Sequence, residues 1–228
     1  MIEVYLLRHA QPAWEPEGKA VDDPVLTELG HKQAAAAAEA LQSLKFDRFL
    51  VSPTRRSRET AAPLAQIWGC QPDVLDFLEE IRMPTMHGQP EARVRDFFAG
   101  ARSRPLEEWW EGIPGGESFR DFHLRITTGL GQLLPELGIE AGPHPSLWQT
   151  QHKAARYLIV SHAGTSSVIL SHLLGLPPVP WEWERFPLAW AGYAVIANNP
   201  AAGAQLWSLE KFNVTHHLNT YYRDHIRR

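Results

Sequence analysis

Val4-Tyr5-Leu6-Leu7-Arg8-His9-Ala10 places an arginine and a histidine directly after an uninterrupted apolar run. A short apolar run of this kind is typical of a buried strand in an α/β sheet. Ligands of such sheets bind in the crevice outside the carboxyl ends of the strands. We therefore expect Arg8 and His9 to lie at the mouth of a ligand site.

Two later segments repeat this arrangement of an apolar run followed by polar side chains. The segment 52–60, Ser-Pro-Thr-Arg-Arg-Ser-Arg-Glu-Thr, follows the second run, and Ser161-His162-Ala163-Gly164-Thr165 follows a third. Three strand ends thus predict a cluster of two arginines and two histidines. Arg55 and Arg58 compete with Arg56 for the second arginine, and the spacing from Ser52-Pro53 selects Arg56.

The order of predicted elements indicates an α/β fold. Residues 2–7 predict a strand, and Thr27 is the N-cap of a helix that runs to about Leu44. A strand over 46–51 and a helix through Ile67 follow, a β-α-β-α beginning that is typical of a mainly parallel sheet. The remaining predictions are a helix from 117–118 to about 137, a loop around 142–145, a strand over 157–160, a helix over 165–174, strands over 192–197 and 205–209, and a polar tail after 212.

The segment from about 77 to 116 is the least regular part of the chain. It is rich in charged residues. Near its end it contains Trp109-Trp110 and then Pro114-Gly115-Gly116, a sequence typical of a turn or loop. We interpret it as an insertion that covers the active-site edge of one domain spanning 1–228. Substrate specificity is expected from this insertion and from the loop around 177–190.

Composition narrows the class of protein. The chain has 228 residues, a net charge of −4 and 44% hydrophobic residues, which suits one α/β domain and argues against general affinity for nucleic acid or an anionic membrane. A single cysteine, Cys70, cannot form an internal disulfide, and Glu3 stands where a secretory signal would be positive. No run approaches the length of a transmembrane helix. We expect a cytoplasmic protein, and the sequence does not predict its oligomeric state.

The motifs together resemble those of the histidine phosphatase superfamily, the phosphoglycerate mutase-like group with an Arg-His-Gly signature. The resemblance includes the Arg8-His9 pair, Leu26-Thr27-Glu28-Leu29-Gly30 with Gln33-Ala34, the segment 52–60, Gly116-Glu117-Ser118 and Val160-Ser161-His162. The chain departs from the pattern at Ala10, where glycine is usual, at Pro12, where threonine or serine is usual, and over 81–88. Alanine at position 10 is compatible with the pattern if its φ is negative. Compared with threonine or serine, Pro12 lacks the backbone N–H donor and the hydroxyl that would lie at the rim of the phosphate pocket.

The resemblance implies a three-layer α/β/α sandwich with a mainly parallel central sheet. It also implies that His9 is a nucleophile that becomes phosphohistidine, while Arg8, Arg56 and His162 hold the phosphoryl group. The residue chemistry agrees, because neighbouring guanidinium groups disfavour imidazolium and pair with phosphate oxygens. Cationic donors supply the charge stabilisation that phosphoryl transfer needs. We therefore expect a phosphorylated small-molecule substrate and no metal or other cofactor.

Two carboxyl groups are candidates for the acid that protonates the leaving alkoxide. The Leu-x-Glu pattern of the family falls on Glu80, which we favour, and Glu117 is the alternative. As the less favoured acid, Glu117 is assigned to the substrate site, and it is equally compatible with a carboxylate that complements a helix dipole.

Further side chains have a structural and a functional interpretation. Ser118 is a helix cap or a substrate contact, and Gln11 contacts either the phosphate or only its own loop. Ala163 is assigned to the substrate site by its place after His162. The tryptophans are core residues by default, and the alternative is that Trp14, Trp109 and Trp110 line an apolar substrate pocket. His216-His217 fits a surface pair better than a metal site.

Three functions are weighed. The first is a cofactor-independent phosphatase that hydrolyses a phosphomonoester through phosphohistidine. The second is phosphoglycerate mutase-type transfer, which the absence of an Asn-Glu-Arg-His-Tyr-Gly run after Glu80 disfavours. The third is a non-catalytic module that binds a phosphorylated ligand, which has no need of the nucleophile His9. Hydrolysis of a generic aryl phosphate separates the first from the third.

Overall fold

One eight-stranded sheet organises the part of the chain that the computed structural model describes, residues 1–152 and 154–218. The strands are β1 (Ile2–Arg8), β2 (Arg48–Val51), β3 (Asp73–Val74), β4 (Ile139–Ala141), β5 (Trp148–Thr150), β6 (Ala155–Ser161), β7 (Tyr193–Ala201) and β8 (Ala204–Val214). Their order across the sheet is β3-β2-β6-β1-β7-β8-β5-β4. The strand that carries Arg8 therefore lies inside the sheet, between β6 and β7.

The sheet is mixed, so the prediction of a mainly parallel sheet is wrong. The pairs β1–β6, β2–β6 and β2–β3 are parallel, whereas β1–β7, β7–β8, β5–β8 and β4–β5 are antiparallel. Parallel neighbours need a crossover of a dozen or more residues. The two-residue turn Ala202-Gly203, with φ of 48° and 75°, instead joins β7 to β8 as a hairpin. No helical pattern separates these strands in the sequence.

The predicted helices are present with small shifts of their ends. The helices are α1 (Glu28–Leu41), α2 (Arg55–Trp68), α3 (Glu91–Arg102), α4 (Phe119–Glu136), α5 (Ala163–Leu174) and α6 (Glu182–Arg185). Of these, α1, α2, α4 and α5 were predicted, whereas α3 and α6 were not. Thr27 caps α1 as expected, because its hydroxyl oxygen accepts the N–H of Gly30 at 2.9 Å. Among these helices, none is long and apolar enough to cross a bilayer.

Side chains of β1 alternate between two hydrophobic clusters. Val4 and Leu6 pack with residues of α4 and α5, and Tyr5 and Leu7 pack with residues of α1 and α2. This period of two is expected of a strand that is buried on both faces. The expected three-layer sandwich itself stays a prediction.

The segment 77–116 contains more structure than the sequence indicated. It holds α3 and a 3₁₀ turn over Leu106–Glu111, neither of which was predicted. Pro90 precedes α3 and provides no side-chain cap, and no residue of α3 is buried. The sequence therefore shows neither a capping residue at the helix start nor the buried apolar face by which a helix is usually predicted. Backbone hydrogen bonds between Ala20 and residues 88 and 89 tie the segment to the loop after β1.

Candidate active site

The sheet register brings three strand ends together. Arg8 is paired with Ser161 across β1 and β6, and the N–H of His9 donates to the Ser161 carbonyl at 2.8 Å. On the other side of β6, the N–H of Ser52 donates to the Val160 carbonyl at 3.0 Å. The polar residues that follow β1, β2 and β6 therefore meet at one edge of the sheet.

His9 is a buried neutral imidazole with a defined tautomer. Its Nδ1 lies 2.8 Å from the carbonyl oxygen of Ala10. A carbonyl oxygen only accepts hydrogen bonds, so Nδ1 carries the hydrogen and Nε2 keeps its lone pair. Burial lowers the pKa of His9 well below its usual 6.5, and the neighbouring cations Arg8 and Arg56 lower that pKa further. The Nε2 lone pair of His9 is thus free of a proton, which is what a nucleophilic role would require.

His162 faces His9 and is also neutral. The two ring centroids are 5.1 Å apart at an interplanar angle of 64°. The Nε2 atom of His162 is hydrogen-bonded to the Ser52 hydroxyl at 2.8 Å, whereas its buried Nδ1 has no hydrogen-bond partner within 1–152 and 154–218. Burial lowers the pKa of His162 well below 6.5, with Arg56 and His9 adding to the shift. One ring nitrogen thus remains available to a ligand.

Two buried guanidinium groups flank the histidines. Arg8 donates through Nη1 to the Leu188 carbonyl and lies 5.8 Å from the Trp190 ring centroid. Burial lowers its pKa to about 10. The Nε atoms of both Arg8 and Arg56 are buried without an acceptor in the described residues. Burying a cation is costly unless an anion compensates it, so this pair favours an anionic ligand.

Arg56 is the arginine of its segment that turns inward. Arg55 and Arg58 are exposed, whereas Arg56 is buried, in agreement with the choice made from the motif spacing. Asp23 approaches its Nη1 at 3.4 Å, and the ring centroid of Trp14 lies 4.9 Å from its Cζ. Burial lowers the pKa of Arg56, and the charges of Glu80 and Asp23 oppose that shift.

Glu80 lies at the N-terminus of α5. It is far from His162 in the sequence, and the fold brings the two residues to the same helix start. Its two oxygens accept the N–H groups of Gly164 at 3.0 Å and Ile81 at 3.1 Å. Burial raises the pKa of Glu80 above its usual 4.5, although these hydrogen bonds and the two arginines oppose that rise. A carboxyl group with a raised pKa can hold a proton close to Arg8 and Arg56.

Glu117 supports the segment that carries Glu80. Its oxygens form a two-point ion pair with Arg125 at 2.9 and 2.8 Å. Arg125 also donates to the carbonyl oxygens of Phe77, Glu79 and Glu80. Both carboxylate oxygens of Glu117 are thus engaged by the Arg125 guanidinium group, and a substrate contact of Glu117 stays a prediction.

Ser118 and Gln11 have structural hydrogen bonds. Ser118 caps α4, since its hydroxyl accepts the N–H of Asp121 at 3.0 Å. The Gln11 side-chain oxygen accepts the hydroxyl of Thr27 at 2.7 Å and so binds its loop to the start of α1. Ala163 is the partly exposed first residue of α5. Substrate contacts of these residues stay predictions.

The tryptophans separate into two groups. Trp14 is 38% exposed and lies over Arg56. Trp109 instead packs edge-on against Trp181, and Trp110 packs against Phe119. Of the three, the structure brings Trp14 to the arginine and histidine cluster.

Several supporting residues were not assigned from the sequence. Thr60 donates to the Arg56 carbonyl at 2.7 Å and accepts the N–H of Ala10 at 2.9 Å, so it fixes the loop after β1 to α2. The last threonine of the motif 52–60 was a signal for this role. Asp23 and Trp190 belong to no motif that we recognised. Ala10 is not among the residues with positive φ, as its substitution for glycine requires.

A family profile described as histidine phosphatase superfamily (branch 1) matches residues 4–213. The chain belongs to this superfamily. A probable phosphoglycerate mutase of Salmonella typhi is 28% identical over 233 residues, with 100% of both chains covered. A mycobacterial glucosyl-3-phosphoglycerate phosphatase is 25% identical, covers 93% of this chain and 99% of its own, and superposes with a TM-score of 0.67. An alpha-ribazole phosphatase of Shigella flexneri, 21% identical over 93% of this chain and 96% of its own, shares the fold with a TM-score of 0.71.

Proposed function

We propose that this protein is a cofactor-independent phosphatase that hydrolyses a phosphomonoester through a phosphohistidine on His9. The observation that carries the proposal is the hydrogen bond of His9 Nδ1 to the Ala10 carbonyl, which leaves the Nε2 lone pair beside two buried guanidinium groups. Membership of the histidine phosphatase superfamily supports it.

The first step transfers the phosphoryl group to the enzyme. His9 Nε2 attacks phosphorus, the bond from phosphorus to the ester oxygen breaks, and the carboxyl of Glu80 gives its proton to the departing alkoxide. Arg8, Arg56 and His162 Nδ1 donate hydrogen bonds to the phosphoryl oxygens and stabilise the charge on them. The depressed pKa of His9 keeps the nucleophile unprotonated before substrate binds.

The second step returns the enzyme to its starting state. Water attacks the phosphorus of phosphohistidine, the carboxylate of Glu80 accepts a proton from that water, and the bond from phosphorus to His9 Nε2 breaks. The products are inorganic phosphate, neutral His9 and a protonated Glu80. The raised pKa of Glu80 allows the same group to act as acid and then as base.

A mutase is the second candidate. It is favoured by full-length relatives named probable phosphoglycerate mutase, which are 27–28% identical to this chain. A mutase would transfer the phosphoryl group from His9 to a second hydroxyl of the substrate instead of to water. The phosphatase is preferred because the run Asn-Glu-Arg-His-Tyr-Gly is absent after Glu80.

One assay compares the two. The protein is incubated with nitrophenyl phosphate and with a panel of phosphorylated metabolites that includes both phosphoglycerates, and inorganic phosphate and phosphoglycerate isomers are measured together. A phosphatase releases stoichiometric phosphate, and kcat/KM ranks the substrates. Isomerisation faster than phosphate release would establish the mutase, and binding without any turnover would establish a phosphate-binding module.

A further inference from the structure

The turn that precedes β7 holds the two residues at the end of β1. The N–H of Arg8 donates to the Gly192 carbonyl at 3.0 Å, and its Nη1 donates to the Leu188 carbonyl. The N–H of Ala191 donates to the carbonyl of His9 at 3.2 Å. The backbone of both Arg8 and His9 is therefore held by residues 188–192.

Ala191 is strained within this turn. Its φ is 53°, in the left-handed region, and it is fully buried. Alanine rarely adopts this region because its Cβ crowds the following carbonyl oxygen. Such a conformation persists only when the surroundings hold it, and it is often found where function requires it.

Two side chains near the end of the described chain hold the turn. His217 Nε2 donates to the Ala191 carbonyl at 2.8 Å, and its ring stacks on Tyr193 with centroids 5.7 Å apart. Asn213, itself at a φ of 49°, accepts the N–H of Ala189 on its side-chain oxygen at 2.8 Å. The predicted histidine pair is present, because the ring of the exposed His216 meets that of the partly exposed His217 edge-on with centroids 5.9 Å apart. The hydrogen bond of His217 to the Ala191 carbonyl was not predicted.

We propose that His217, together with Asn213, is a positioning residue for Arg8 and His9. Without the bond from His217, Ala191 relaxes to a negative φ. The rotation of its peptide groups withdraws the Ala191 N–H from the His9 carbonyl and displaces the neighbouring Gly192, whose carbonyl accepts the Arg8 N–H. The nucleophile and the phosphate-binding arginine then lose their alignment. The inference rests on the proposed role of His9 in catalysis.

The first test compares His217→Ala, His217→Gln and the control His216→Ala. The control removes an exposed ring that lies edge-on to His217, with centroids 5.9 Å apart, and leaves the bond to Ala191 in place. We expect His217→Ala to lower kcat about tenfold per active site, since small misplacements of reacting groups have large effects on rate, with KM changed less than about twofold. Active sites are counted from the burst of product release. Glutamine offers an N–H donor and should restore most of kcat, and His216→Ala should match the wild type. Wild-type kcat in His217→Ala, or a loss explained by fewer active sites alone, would overturn the inference.

A second substitution tests the strain itself. Glycine adopts positive φ without a steric penalty, so Ala191→Gly in the His217→Ala background should recover at least half of the lost kcat. In the wild-type background the same substitution should have little effect. Failure of glycine to recover kcat would show that His217 does not act through the conformation of Ala191.

A spectroscopic measurement separates this inference from the proposed function. In protein labelled with ¹⁵N-histidine, the Nδ1–H signal of His9, assigned by its loss in His9→Ala, should shift in His217→Ala and stay unchanged in His216→Ala. If the wild type hydrolyses no phosphomonoester and yet the signal shifts, the phosphatase proposal fails and the positioning role stands. If the enzyme is active and the signal does not move, the positioning role fails.

Discussion

Glu80 and Gly164 are in direct contact at the start of α5. The carboxylate accepts the Gly164 N–H at 3.0 Å, and a Cβ at position 164 would lie 2.5 Å from Glu80 Oε1. Only glycine permits this approach. The absence of one side chain on α5 therefore places the proposed proton donor beside the arginines.

Gly164→Ala should displace Glu80 without touching the nucleophile. We expect kcat for an alkyl phosphate to fall by about 10-fold or more, within the range of general acid catalysis, and kcat for nitrophenyl phosphate to change far less. Gly131→Ala is the matched control, because it lies in α4 and a Cβ there meets nothing within 4 Å. Equal losses on both substrates would indicate damage to the fold or to His9 instead.

The two candidate acids should differ in their dependence on the leaving group. Glu80→Gln removes the proton that an alkoxide needs, so kcat on an alkyl ester should fall about 10²-fold, with a much smaller loss on the aryl ester. Glu117→Gln weakens the ion pair with Arg125 and should give a smaller loss that is the same for both esters. Leaving-group dependence at Glu117 and none at Glu80 would reverse the assignment.

Strand ends and helix starts were predictable because local chemistry decides them. The apolar run before Arg8 predicted β1, and Thr27 predicted the start of α1, both of which the structure contains. Clustering of Arg8, His9, Arg56 and His162 followed from the rule that carboxyl ends of parallel strands meet at one edge.

Features that depend on contacts distant in sequence were not predictable. Glu117 has the same local pattern whether it binds substrate or Arg125, and only the fold brings that guanidinium group to it. His217 likewise shows no motif, because its partner is a backbone carbonyl. The antiparallel half of the sheet was missed because the parallel arrangement predicted from the first two βα units was assumed for the later strands as well. Those later strands are not connected by crossover helices.

Activity should depend on pH through His9 and Glu80 with opposite signs. The reactive form needs neutral His9, whose pKa lies below 6.5, and protonated Glu80, whose pKa lies above 4.5. As pH falls, kcat/KM should therefore hold through pH 6.5 and decline only below it, after correction for the substrate's own titration. As pH rises, the alkyl ester should lose rate earlier than the aryl ester, and Glu80→Gln should abolish that difference. An acid limb centred at or above pH 6.5 would contradict the neutral nucleophile.

Chelation should leave the activity unchanged. In the proposed mechanism, Arg8 and Arg56 supply the positive charge that a divalent ion supplies in metal-dependent phosphatases, and the neutral His162 adds a hydrogen bond. The measurement is kcat/KM before and after dialysis against excess chelator, with a known magnesium-dependent phosphatase as the control. A loss that one divalent ion restores would overturn the proposed mechanism.

A covalent adduct on His9 is the most direct prediction. Rapid quenching of enzyme mixed with labelled substrate should trap a phosphoramidate that survives alkali and is lost in acid, because a phosphorus–nitrogen bond breaks when its nitrogen is protonated. His9→Ala should abolish both the adduct and turnover, whereas His162→Ala should retain a detectable adduct, since it removes a phosphate ligand and leaves the His9 lone pair. The labelled peptide, identified by mass spectrometry after alkaline digestion, should contain Arg8-His9. An adduct on His162, or near-wild-type turnover in His9→Ala, would show that the hydrogen bond from Nδ1 to Ala10 does not mark the nucleophile.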